Sequence, residues 1–179
     1  MTTSPAQYQL AVIVGSVRPG RFAPVIANWF VAHAKQRGEL VLDIIDLADS
    51  PDEFTTRVGA ADAVVVITPE YNHAYPGPLK TAIDTVGREW HAKPVGFVSY
   101  GGISGGLRAV EQLRQVFAEL HAVTIRETVS FHNAGGCFDA DGRPLESEAV
   151  ETAATALLDQ LGWWAEALRT ARAVRPYGW

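Results

Sequence analysis

Apolar residues in this chain follow two rhythms. Short, nearly unbroken apolar runs span Gln9 to Val14 and Ala63 to Thr68. Runs of this length and density read as strands buried on both faces, as parallel strands are. Between them, Val25, Ile26, Trp29 and Phe30 repeat with helical period from Phe22 to Lys35, and Gly38 stops that helix. The same pattern predicts strands over Leu40 to Leu47, Pro94 to Tyr100 and Ala122 to Ile125, with Thr128 to Phe131 extending the last. It predicts a short helix and turn over Pro51 to Ala61 and a helix over Pro78 to Val86. Leu107, Val110, Leu113 and Phe117 mark the next helix. A long final helix runs from Ser147 to Thr170, striped by Val150, Leu157, Leu158, Leu161, Trp164 and Leu168. Asn133 to Pro144 is the one long loop, and no repeat or low-complexity linker interrupts the pattern.

Strands that alternate with helices imply an α/β sandwich of three layers, a parallel sheet covered on both faces. Five strands in about 130 residues fit a flavodoxin-like order, 2-1-3-4-5, within one domain spanning 1–179. Ligands of such sheets sit at the carboxyl ends of the strands, beside strands 1 and 3. The loops after strands 1, 3 and 4 are therefore expected to converge. They are also the three most unusual loops in the chain.

The composition narrows the partners. Hydrophobic residues make up 47%, charged residues 20%, and the net charge is −5. A nucleic acid is a poor partner for such a surface, because phosphate-driven affinity needs positive charge. The single cysteine, Cys137, excludes an internal disulfide framework and a Cys-rich zinc site, and fits a reducing compartment. The opening M-T-T-S-P-A-Q-Y has neither a basic nor an apolar targeting segment, and no apolar run approaches the roughly 20 residues that span a bilayer. A cytoplasmic protein is expected, with no membrane partner.

The first unusual loop, G-S-V-R-P-G-R from Gly15 to Arg21, joins a strand to a helix N-terminus. Backbone N–H groups, the helix dipole, the Ser16 hydroxyl and the charges of Arg18 and Arg21 suit a phosphate. The loop lacks the GK[ST] ending of an NTPase and the G-x-G-x-x-G of a dinucleotide site. A plain turn with two solvated arginines is its other reading. The second loop, P-E-Y-N-H-A-Y-P-G-P-L-K-T-A-I-D from Pro69 to Asp84, is stiff, aromatic and rich in hydrogen-bonding groups. Glu70 to His73 offer backbone groups to the edge of a flat polar ring, Tyr71 and Tyr75 offer aromatic surface, and Pro76 and Pro78 limit the entropy lost on ordering. His73 reads as a surface histidine, and Lys80 and Asp84 as an i,i+4 pair. The third loop, S-Y-G-G-I-S-G-G from Ser99 to Gly106, holds four glycines in eight residues, a backbone built for close approach.

No catalytic set of side chains stands out. There is no G-x-S-x-G elbow, and the five histidines lack H-x-x-x-H spacing, so no metal site is expected. Asp139-Ala-Asp141-Gly142 lacks the remaining ligands of a calcium loop and reads as a turn. Any chemistry then belongs to a bound cofactor.

Four pieces, G-S-V-R-P-G-R-F, P-E-Y-N-H-A-Y-P-G-P-L-K-T-A-I-D, G-R-E-W-H-A-K-P and V-S-Y-G-G-I-S-G-G-L-R-A-V-E-Q-L-R, run in order from Gly15 to Arg114. Together they resemble the NADPH-dependent FMN reductase family, a flavodoxin-like group that includes quinone, azo and chromate reductases. The resemblance implies that Ser16, Arg18, Arg21 and Phe22 surround the FMN phosphate. It implies that Pro69, Glu70, Tyr71 and Asn72 line the isoalloxazine, with Ser99, Tyr100, Gly101 and Gly102 on its other flank. Arg21 and Thr81 depart from the family pattern, where many relatives carry a small hydroxyl residue and an Asn. The expected activity is transfer of hydride from NADPH or NADH to bound FMN, then to a quinone, azo compound, metal oxyanion or free flavin. The alternatives are a non-catalytic electron carrier or flavin-binding module, and an anion-binding regulatory domain. Relatives are typically dimers or tetramers, so a homo-oligomer is expected, with Trp90 and the tail Val174 to Trp179 as candidate interface groups.

Overall fold

Strand β1 (Tyr8–Val14) shows why the apolar runs become the centre of the molecule: from Leu10 to Val14 no side chain is more than 1% exposed. The computed structural model, which describes residues 7–49 and 52–178, sets β1 between β2 (Leu40–Asp46) and β3 (Ala63–Pro69). Next come β4 (Pro94–Tyr100) and β5 (Val123–Phe131), all parallel, in the order 2-1-3-4-5. Every residue of β3 and β4 is buried, as expected of central strands covered on both sides.

The period of two sorts these strands into two cores. Leu10, Val12, Val65 and Ile67 face α1 (Ala23–Ala34) and α5 (Ser147–Val174). Ala11, Ile13, Val64, Val66 and Phe97 face the other way, toward α2 (Phe54–Ala60), α3 (Gly77–Asp84) and α4 (Leu107–Glu119). Each fully buried Val, Ile or Leu contributes roughly 1.5–3 kcal/mol, which is why the strands need no amphipathic compromise.

Four details depart from the pattern-based reading. The fifth strand is continuous: Val95 faces Thr124 and Phe97 faces Thr128, so β5 carries two extra residues at this point. An even insertion keeps the alternation, and Ile125 and Val129 both stay in the α1/α5 core. Arg114 from α4 holds the irregularity, its Nη1 donating to the Ile125 carbonyl at 2.7 Å and its Nη2 to the Arg126 carbonyl at 3.2 Å. Trp90 is no interface group but fully buried core, its Nε1 donating to the Ile83 carbonyl at 3.1 Å. The last helix runs four residues beyond its predicted end at Thr170, to Val174, and the short second helix starts only at Phe54. The first six residues, Pro51 and Trp179, on which a targeting segment, a helix start and the end of the interface tail were judged, lie outside the described residues. Among the described residues no helix is long and apolar enough to cross a membrane.

Candidate functional site

The order of the sheet places the ends of β1, β3 and β4 side by side, so the three unusual loops meet at one edge. They are joined by specific bonds. Tyr71 Oη and Ser16 Oγ hydrogen-bond at 2.7 Å, linking the second loop to the first. The Arg18 guanidinium lies 4.2 Å from the centre of the Tyr71 ring, a cation–π contact across the same seam. Glu70 links the second loop to the third. Ser104 Oγ donates to its Oε2 at 2.6 Å, the Arg108 backbone N–H to Oε2 at 3.2 Å, and the Arg108 guanidinium to Oε1 at 2.6 Å.

Burial works to raise the Glu70 carboxyl, but the bonds from Ser104 and Arg108 overcome it and hold the group below the usual carboxylate range. It is an occupied anion, not a proton source. The Glu70 backbone N–H donates to the Tyr100 carbonyl at 3.0 Å, which continues the β3–β4 pairing one step past Pro69.

Asn72 and His73 both have positive φ, 51° and 72°, and Tyr71 and Ala74 exchange backbone bonds of 2.8 and 3.1 Å across them. That is a two-residue hairpin turn of the kind that demands left-handed backbone at both centres. His73 sits on the rim, its Nε2 accepting from Arg108 Nη1 at 2.9 Å and its carbonyl from Gln112 at 2.9 Å. Lys80 and Asp84 form the expected pair at 2.6 Å. Tyr75 does not offer a face to the site: its ring packs against the core.

The glycine loop is shaped by crowding. Gly105 and Gly106 have φ of +62° and +87°, and a Cβ on Gly105 would lie 2.3 Å from Ser130 Oγ. A Cβ on Gly106 would lie 2.7 Å from that of Ser99. Ser99 Oγ and Ser130 Oγ both donate to the Gly105 carbonyl at 2.8 Å, so Ser99 braces the loop from behind. Gly101 and Gly102 are tied to the segment after β5: Gly101 N–H donates to the Phe131 carbonyl at 3.2 Å and Asn133 N–H to that of Gly102 at 2.8 Å.

In the first loop the two arginines part company. Arg18 is exposed and has no carboxylate partner among the described residues. Arg21 is engaged with Asp46 at the end of β2, at 2.5 and 2.7 Å, and with the Ser16 carbonyl at 2.5 Å. Phe22 anchors the loop, its ring 6.5 Å from Tyr100 and 5.6 Å from Phe138. The N–H groups of Ser16, Val17, Arg18 and Gly20 donate to no group among the described residues. They are unused donors just before the start of α1, the chemistry a phosphate requires. Tyr100 Oη, buried beneath the loop, makes no hydrogen bond of normal geometry among the described residues, and burial pushes its phenol above its ordinary range although the nearby Ser16 hydroxyl acts to lower it.

Asp46, Ser104 and Arg108 thus belong to the site although the sequence pattern did not single them out. Arg108 follows directly on the glycine loop, but nothing in the pattern points to its carboxylate. Cys137, for which the sequence suggested no role, hydrogen-bonds the His132 carbonyl at 3.1 Å.

Comparison with known proteins bears on family and fold. The family model for NADPH-dependent FMN reductase matches residues 8–136. An NAD(P)H-dependent FMN reductase of Schizosaccharomyces pombe is 35% identical over 60% of this chain, which spans 64% of that relative. A probable NADPH:quinone oxidoreductase of Oryza sativa is 32% identical over 84% of the chain and 85% of its own length. Among solved structures, the flavoenzyme NAD(P)H:(acceptor) oxidoreductase FerB of Paracoccus denitrificans superposes with a TM-score of 0.69 and 25% identity, over 89% of this chain and 98% of its own. A flavodoxin of Pseudomonas aeruginosa shares the fold at a TM-score of 0.59.

Proposed function

Because the chain belongs to the NADPH-dependent FMN reductase family, we propose that it binds FMN across its three joined loops and acts as an NAD(P)H-dependent reductase of small acceptors such as quinones. The observation that carries the assignment is the set of N–H donors of Ser16, Val17, Arg18 and Gly20, unused among the described residues, at a helix start and beside an Arg18 with no carboxylate partner among them. The residues of the three loops would hold FMN, which would supply the hydride-accepting and electron-donating chemistry between NAD(P)H and the acceptor.

The chain supplies binding and orientation. The Ser16–Gly20 N–H groups and Arg18 take the phosphate, and Phe22 fixes the loop that carries them. Tyr71, clamped through its hydroxyl to Ser16 and through its face to Arg18, has little freedom left to lose on binding. Along Pro69 to Asn72 and Tyr100 to Gly102 most backbone groups are bonded within the protein, and the N–H groups of Asn72 and Gly102, outside those bonds among the described residues, are the edge left for the ring. Glu70 and Ser99 act behind these edges, holding the second and third loops at a set spacing. A homo-oligomer in the cytoplasm completes the reading, by analogy with the family.

Two measurements test it. The purified protein, titrated with FMN, should quench flavin fluorescence, and NADPH added without oxygen should bleach the bound flavin. A protein that takes up no flavin ends the proposal; one that binds flavin without bleaching is a carrier. Arg18→Ala should weaken FMN by about tenfold, the worth of one charge-assisted phosphate contact, and leave riboflavin, which has no phosphate, unchanged.

A further inference from the structure

Asp46 lies outside the three loops, at the last position of β2, yet it reaches the phosphate loop through Arg21. The pair is bidentate, Nη1 on Oδ1 at 2.5 Å and Nη2 on Oδ2 at 2.7 Å. Its members are only 15% and 22% exposed. Asp46 is itself fixed, since its Oδ1 also accepts the Ala48 N–H at 3.0 Å. The same Nη1 of Arg21 donates to the Ser16 carbonyl at 2.5 Å. In a trans peptide the N–H points away from the C=O across the same bond. A carbonyl pinned toward Arg21 therefore aims the Val17 N–H to the opposite side, where it meets no acceptor among the described residues. Charge adds to the argument: the carboxylate cancels the guanidinium, so Arg21 brings little net field to an incoming anion.

We propose that Asp46 is a positioning residue for the phosphate, holding Arg21 against the Ser16 carbonyl so that the Ser16–Val17 peptide presents its N–H to the ligand. Arg21 is on this view a splint and not a counter-ion. The inference rests on the flavin reading above and makes a prediction of opposite sign to the obvious one. Were Arg21 a counter-ion restrained by Asp46, neutralising Asp46 would release its charge and tighten FMN. As a splint, Arg21 freed from Asp46 lets the peptide turn, and FMN weakens.

The test compares FMN and riboflavin binding in the parent, Asp46→Asn and Arg21→Lys. Asn is isosteric and can still accept the Ala48 N–H, so the end of β2 is kept. Lys keeps the charge but lacks the planar fork that sets two nitrogens on the two Asp46 oxygens while one of them also holds the Ser16 carbonyl. Both variants are expected to lose about tenfold in FMN affinity, the cost of one lost charged hydrogen bond, with riboflavin within about twofold and the 31P resonance of bound FMN displaced. Unchanged or tighter FMN binding by Asp46→Asn would overturn the inference, as would parent-like binding by Arg21→Lys. Parallel loss of FMN and riboflavin would also overturn it, by making the role one of fold stability alone. If the parent takes up no FMN, the proposed function falls first and the inference with it.

Discussion

Glu70 is a carboxylate with 5% of its side chain exposed, and it stays charged only because three donors surround it. Replacing it by Gln keeps the shape, removes the charge and turns one acceptor into a donor that faces Ser104 or Arg108. We expect Glu70→Gln to lower FMN affinity by about 1–3 kcal/mol, the cost of leaving a half-buried donor unmatched, measured by fluorescence titration. An unchanged affinity would show that the second and third loops hold their spacing without it. At this scale the sequence was half legible. Tyr71, Glu70 and the glycines were visible as unusual residues in unusual loops. Their partners were not, because Ser104 and Arg108 lie 34 and 38 positions from Glu70. A pairing at that distance leaves no period along the chain. The departure at Arg21 was visible, but only the neighbouring strand supplies Asp46 and so the meaning of the change.

At the scale of elements, most boundaries follow from burial, and β5 shows where that logic stops. The apolar pattern breaks at Arg126 and Glu127, which reads as a gap between the fifth strand and its extension from Thr128 to Phe131. In the fold the strand continues, because the two extra residues bulge out and Arg114 takes up the carbonyls they leave unpaired. Periodicity registers the lapse in alternation but not the guanidinium that makes it tolerable. Arg114 also lies 5.4 Å from the centre of the Phe97 ring. Arg114→Met should keep much of that packing and lose the bonds, lowering stability by about 1–3 kcal/mol in urea unfolding. A loss below about 0.5 kcal/mol would mean that water satisfies the bulge equally well. The placement of Ser130, which donates to the Gly105 carbonyl, depends on this register, so the bulge bears on the glycine loop as well.

The whole molecule was the most legible level. Alternating strands and helices with right-handed crossovers leave few sheet orders open, and the order in turn dictates which loops meet. The buried cation was not legible. Lys93 is 3% exposed and its ammonium donates to the carbonyls of Val58 and Ala61 at the end of α2. Burial pushes it down from 10.5 to about 8. Between those values the unfolded chain binds a proton that the folded chain has released, so stability rises with pH there, and the cost of burying the charge is full below about 8. Tyr8 acts in the opposite sense: burial raises its phenol from 10.0 to about 12, so its contribution is present below pH 10 and lost above it. Over pH 8 to 10 the urea midpoint of the parent should therefore climb relative to that of Lys93→Met. Parallel profiles would place the Lys93 titration elsewhere. The joined loops carry one last consequence. Tyr71 is fastened to Ser16, Glu70 to Ser104 and Arg108, and Gly102 to Asn133, so the three loops brace one another along this edge. Loops already braced against one another reach a visitor in place, so little of its affinity need go into ordering them.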